Sequence, residues 1–166
     1  MVAPTTTQPL TDRETARFPV EPGSVAASRA WLLGRSAELV TGQRTEDLAL
    51  VLSEIVTNAL RHGAGAGQVE ISATPKPEFL CVQVTDDGPG FVPRPGAMAS
   101  EPSGGFGLFL VERLTRRWGM TREGQRTRVW FEFDYAAAEG GQLRALQPDQ
   151  RSTATTTSAP AGARSR

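Results

Sequence analysis

The stretch Leu52-Ser53-Glu54-Ile55-Val56-Thr57-Asn58-Ala59-Leu60-Arg61-His62-Gly63 decides how this chain is to be read. Leu48, Val51, Leu52, Ile55 and Ala59 follow the helical period, which predicts a helix from Glu46 to Arg61 with Thr45 as its cap. Within it Glu54 and Asn58 stand four residues apart, and residues at i and i+4 share one helical face. Asn is a mediocre helix former because its side chain competes for backbone hydrogen bonds, so its place in mid-helix calls for a cause. Two readings fit. Asp47 and Arg61 fall near the same angular position, which would make the pair part of a solvated stripe; alternatively, Glu54 and Asn58 face a ligand.

On the N-terminal side, Arg17-Phe18-Pro19-Val20 reads as a short strand, with Pro19 favouring a sheet edge. Pro22-Gly23-Ser24 breaks it, and Ser24 is the expected cap of a helix from Val25 to about Val40 that Gly42 ends. On the C-terminal side, the run from His62 to Gly67 stops the central helix. Val69, Ile71 and Ala73 then alternate with polar residues, and Leu80, Val82 and Val84 do so beyond Pro75-Lys76-Pro77-Glu78, which predicts an antiparallel hairpin. A long segment rich in Gly, Pro, Ala and Ser follows, of the kind that forms functional lids. Leu108, Val111, Leu114 and Trp118 mark a third helix. Gly119 to Arg122 and Arg128 to Asp134 close the pattern as a second hairpin across Glu123-Gly124-Gln125-Arg126. Strands and helices do not alternate regularly, so the fold class is α+β: a two-layer sandwich in which three helices cover one face of a mixed, mostly antiparallel sheet.

The folded unit is expected at residues 13–135, with a lid at 89–104. Residues 1–12 and 136–166 are expected to be disordered tails, since their Thr-, Pro-, Gly- and Ser-rich composition buries too little apolar area to offset ordering entropy. Formal net charge is zero, so no global field argues for nucleic acid or an anionic membrane. Cys81 is the single cysteine and His62 the single histidine, which excludes an internal disulfide and a His/Cys metal cluster. No leader or membrane span is apparent, and a cytoplasmic location is expected.

Two further stretches bear on chemistry. Asp86-Asp87-Gly88-Pro89-Gly90 closes a strand, where a buried carboxylate can accept from an amino group and glycines let backbone approach a flat ring. It is equally a good turn sequence. Ser103-Gly104-Gly105-Phe106-Gly107-Leu108 is a glycine-rich entry to a helix, whose free N–H groups attract phosphate. It is neither a P-loop nor a dinucleotide fingerprint.

Taken in order, Glu54-x-x-x-Asn58, Asp86-x-Gly88-x-Gly90, the long segment, Gly105-x-Gly107-Leu108 and Thr127 closely resemble the four boxes of the GHKL ATPase superfamily. That group includes gyrase, Hsp90, histidine kinases and the mismatch-repair ATPase, and the resemblance spans about Phe18 to Phe133. Thr57 to Gly63, Arg117-Trp118-Gly119 and the scarcity of lysine (Lys76 alone) look most like its small anti-sigma factor serine/threonine kinases of actinobacterial type. The resemblance implies a Bergerat-type ATP-binding fold, ATP and Mg²⁺ as cofactors, and defined roles. Asn58 would bind the metal, Asp86 would accept from adenine, and Gly88 and Gly90 would shape that pocket. Gly105, Gly107 and Leu108 would meet the phosphates, Thr127 would support the adenine end, and Glu54 would be the general base. It also implies a sigma factor and an anti-anti-sigma (STAS-type) protein as partners, with a homodimer as a further assembly and no direct nucleic acid or membrane contact. The alternatives are a non-catalytic ATP-binding module and a detached histidine-kinase catalytic domain. A gyrase or mismatch-repair ATPase is disfavoured because no transducer domain follows Tyr135.

Overall fold

The computed structural model describes residues 10–62, 67–88, 105–124 and 126–135. Eight elements follow one another: β1 (Glu14–Pro19), α1 (Gly23–Ser36), α2 (Gln43–His62), β2 (Gln68–Pro75), β3 (Phe79–Asp86), α3 (Gly105–Leu114), β4 (Arg117–Glu123) and β5 (Arg126–Asp134). The strands form one sheet in the order β1-β2-β3-β5-β4, and all four pairings are antiparallel. The α+β class expected from the sequence is the one observed. The expected tails, apart from residues 10–12, and the expected lid lie outside the described residues.

Alternation in the sequence becomes two unlike faces. Val69, Ile71 and Ala73 of β2, Leu80, Val82 and Val84 of β3, and Val129, Phe131 and Phe133 of β5 are buried on one side. Against them α1 sets Leu32, α2 sets Leu48, Val51, Leu52, Ile55, Val56 and Ala59, and α3 sets Val111. The central helix is thus the keel of the helical layer, packing against α1, α3, β2 and β3. Its apolar stripe is the one its 3.6-residue period predicts, and the stripe leaves Glu54 and Asn58 half-exposed beside it. Leu10, placed by composition in the tail, is also buried, and its N–H donates to the Arg35 carbonyl at 3.3 Å.

Four local expectations are corrected. Ser24 does not cap α1; its hydroxyl donates instead to the Pro19 carbonyl at 2.6 Å, tying the helix start to the end of β1. That helix stops at Ser36 rather than near Val40, because the Ser36 carbonyl accepts from both Leu39 and Val40 N–H and a turn tucks Val40 into the core. Thr45 lies inside α2, with its hydroxyl on the Val40 carbonyl at 3.2 Å. Trp118 is a strand residue: α3 ends at Leu114, Arg116 N–H joins the Glu132 carbonyl at 2.8 Å, and Trp118 pairs with Phe131. Its helical spacing from Leu114 was a coincidence that strand pairing overrode.

On the face of the sheet away from the helices, β4 passes under an indole. A Cβ built on Gly119 would lie 2.7 Å from Trp130 Cζ2 and 2.8 Å from Cε2, nearer than carbon atoms can pack. Gly119→Ala is therefore expected to destabilise the protein by about 1–3 kcal/mol, the usual range for overpacking. Urea unfolding should register it as a lower midpoint at unchanged slope.

Candidate functional site

Register brings the second and fourth sequence motifs together. Asp86, the last residue of β3, pairs with Thr127 of β5, and the two are 6% and 1% exposed. Both side chains hold Gly88. Its N–H donates to Asp86 Oδ1 at 2.8 Å, and its carbonyl accepts from Thr127 Oγ1 at 3.2 Å. The first contact is the side chain-to-backbone turn that the sequence Asp-Asp-Gly favours. The turn reading of this stretch therefore holds, but it does not exhaust the residue, because a carboxylate has lone pairs for further donors.

Burial pushes the Asp86 carboxyl above its ordinary value of 3.8, and the Asp87 charge adds to the rise. The Gly88 N–H and the electrostatic influence of His62 act the other way. A raised folded value means that the native state holds this proton more tightly than the unfolded chain does. The contribution of Asp86 to stability is therefore fully present below about 3.8 and is lost as pH rises through the folded value. Asn keeps an acceptor for Gly88 without the charge. Asp86→Asn is accordingly expected to stabilise the protein at neutral pH. Unfolding followed as a function of pH should show no advantage at the acid end and a growing one as pH rises. An advantage constant with pH would trace the effect to something other than ionisation.

The other end of the site is set by helix contact. Gly107 lies in the first turn of α3 and is buried against α2. A Cβ there would overlap the Glu54 carboxylate, lying 3.1 Å from its Cδ and 3.4 Å from its Cβ. Only glycine lets the two helices meet with this carboxylate between them. Asn58 follows one turn beyond Glu54 on the same face, and His62 one turn beyond Asn58. His62 is near enough to Asp86 to influence its carboxyl electrostatically, so the last turn of α2 lies on the side of the closed end of β3. Glu54, Asn58 and His62 thus succeed one another along one face of α2.

Of the residues singled out in the sequence, Asp86, Gly88 and Thr127 are in mutual contact, as are Glu54 and Gly107. Asn58 is half-exposed on α2, one turn beyond Glu54. Gly105 opens α3, and Leu108 is half-buried in its first turn. Gly90 and the segment 89–104 lie outside the described residues. His62 was not among the candidates, although its spacing of four from Asn58 could have flagged it. Arg126, which pairs with Asp87 at 3.2 Å on the surface, carried no sequence signal.

The donor chemistry suits a nucleotide. A buried acceptor with a rigidly held glycine at one end fits an exocyclic amine. A helix start at the other, where backbone comes close without a side chain, fits phosphate oxygens. Among the described residues no group of three His, Cys, Asp or Glu gathers as a metal cage. A hard cation at Asn58 would take most of its oxygens from a phosphate ligand and water, as Mg²⁺ commonly does. No described helix is long and apolar enough to cross a membrane.

Comparison with curated proteins gives no significant match. The family model for the histidine kinase-like ATPase domain matches residues 18–133, more than two thirds of the chain and the sheet from Phe18 to Phe133. With its fold and its ordered motifs in place, the chain belongs to the histidine kinase-like ATPase domain family and carries an ATP-binding, ATPase-like regulatory domain.

Proposed function

We propose that this protein is an ATP- and Mg²⁺-dependent serine/threonine kinase that also acts as an anti-sigma factor, its substrate being an anti-anti-sigma protein of STAS type. The observation that carries the catalytic part is the seating of Glu54. Its carboxylate lies against the glycine turn of α3, at the end of the site where phosphates would meet the helix start. A base belongs at that end. Asp86 would accept from the adenine amine, and Gly88, held by Asp86 and Thr127, would shape the pocket beside it. Gly105, Gly107 and Leu108 would offer backbone donors to the phosphates, and Gly90 would extend the adenine pocket. Asn58 would give its amide oxygen to Mg²⁺, which when bound neutralises charge on the phosphates.

In the transfer itself, the serine oxygen of the partner forms a bond to the γ-phosphorus while the bond from that phosphorus to the ADP oxygen breaks. Glu54 takes the serine proton, and ADP leaves with the electron pair. Positioning and charge neutralisation account for most of the acceleration in such reactions, so few residues suffice. Adenine recognition gives the Asp86→Asn variant a second expected property. It should bind ATP more weakly even as its stability rises, because one acceptor facing the ring becomes a donor.

The decisive experiment is capture from the native cell lysate followed by mass spectrometry, then incubation of the captured STAS protein with Mg-ATP and the purified kinase. Phosphoserine on the partner, and its absence without ATP, supports the reading. Capture of a sigma factor with ATP bound but no phosphate transferred would replace it with that of a non-catalytic ATP-dependent binding module.

A further inference from the structure

Arg44 lies in the first turn of α2 with its side chain 16% exposed, and none of the motifs includes it. Its guanidinium joins the ends of two other elements. Nε and Nη2 donate to the carbonyl of Asp134, the last residue of β5, at 3.3 and 3.1 Å. Nη1 and Nη2 donate to the carbonyl of Leu114, the last residue of α3, at 3.5 and 3.4 Å. Asp47 Oδ2 balances the charge from 3.2 Å, and the group lies 3.9 Å above the Phe133 ring. Each bond to Leu114 is long, but together they set a positive charge on the negative, unsatisfied end of a helix.

We propose that Arg44 is a positioning residue for the phosphate end of the nucleotide site, holding α3 by its C-terminus so that Gly107 stays seated against Glu54. The inference rests on the nucleotide reading above. Helix α3 has ten residues and is therefore about 15 Å long. Among the described residues its main packing partners are α2 and β4, and its first turn meets Glu54 through a glycine that has no side chain to grip with. A tilt of roughly 10° about the Leu114 end would carry that first turn about 2 Å along its arc. Misplacement by even about 1 Å is enough to disrupt a built site. Fixing the far end of the lever removes this freedom, and a flat guanidinium can do so by reaching two carbonyls at once while stacked on a ring.

A purely stabilising Arg44 and a positioning one differ in which part of the ligand feels the loss. Adenosine reads the Asp86 end alone, whereas Mg-ATP also reads the α3 end. Titration calorimetry of both ligands with wild type, Arg44→Gln and Arg44→Lys, well below their unfolding midpoints, separates the two. The expected result for Arg44→Gln is roughly tenfold weaker Mg-ATP binding with adenosine affinity unchanged. Lys keeps the charge without the fork, so a smaller loss in the same direction is expected. Equal affinities for Mg-ATP across the three proteins, or a parallel loss of both ligands, would overturn the inference. If Arg44→Gln does not fold, Arg44→Lys is judged by the same contrast. Wild-type protein that binds neither ligand overturns the nucleotide reading itself, a result distinct from either of these.

Discussion

Glu54→Gln is expected to bind Mg-ATP as wild type does and to transfer phosphate about 10²–10⁴-fold more slowly, the range for losing a positioned acid–base group. Gln is nearly isosteric with Glu, so the contact with Gly107 and the packing of α3 on α2 are kept. What is lost is the ability to take the proton of the attacking hydroxyl. Parallel measurement of nucleotide affinity and of single-turnover transfer checks both halves. Equal transfer rates for the two proteins would return Glu54 to the solvated stripe. Gly107→Ala provides the complementary perturbation, since its methyl group must push the carboxylate aside. The atom nearest the new methyl is the far end of a flexible side chain, so transfer should suffer more than stability. A large loss of stability with transfer intact would mean that the contact is architectural.

Much of this architecture was legible because local pattern and tertiary demand agree. The period of α2 placed Leu48, Val51, Leu52, Ile55 and Ala59 on the buried face, and strict alternation assigned Val69, Ile71, Ala73, Leu80, Val82 and Val84 to the same side of the sheet. Where a cap assignment failed, side-chain chemistry with more than one local outlet was responsible. Ser24 and Thr45 are good caps by composition, yet their hydroxyls found carbonyls of Pro19 and Val40 across a turn. Trp118 continued a helical spacing that β-pairing with Phe131 interrupted.

The site was legible as a list and much less as a geometry. No spacing rule shows that Thr127 and Asp86 would be cross-strand partners clasping one glycine, since that depends on β5 inserting between β3 and β4. The contact of Gly107 with Glu54 is equally invisible along the chain, as it joins two helices separated by a hairpin and a long segment. Arg44 carried no signal at all. An arginine at a helix start is unremarkable until two carbonyls from distant elements are found within its reach.

Asn58→Ala is expected to cost Mg-dependent ATP binding at least as much as the about 10–100-fold that loss of a mere outer-shell partner of a metal costs, while the fold is retained. The second half follows from the helix. Asn58 is half-exposed within α2, one turn before its end, and Ala is the better helix former by several tenths of a kcal/mol. Stability should therefore hold or rise slightly, and a falling midpoint would signal a structural role instead. The first half follows from ligand chemistry, because an amide oxygen is a hard donor suited to Mg²⁺ and a methyl group offers none. Calorimetry with and without Mg²⁺ separates the metal from the base. Wild type should bind ATP more tightly with the metal, whereas the variant should show one weak affinity in both conditions, sustained by the contacts at Asp86. If Mg²⁺ tightens ATP binding by the same factor in the variant as in wild type, Asn58 is not the metal's ligand, and its place in the helix needs another cause.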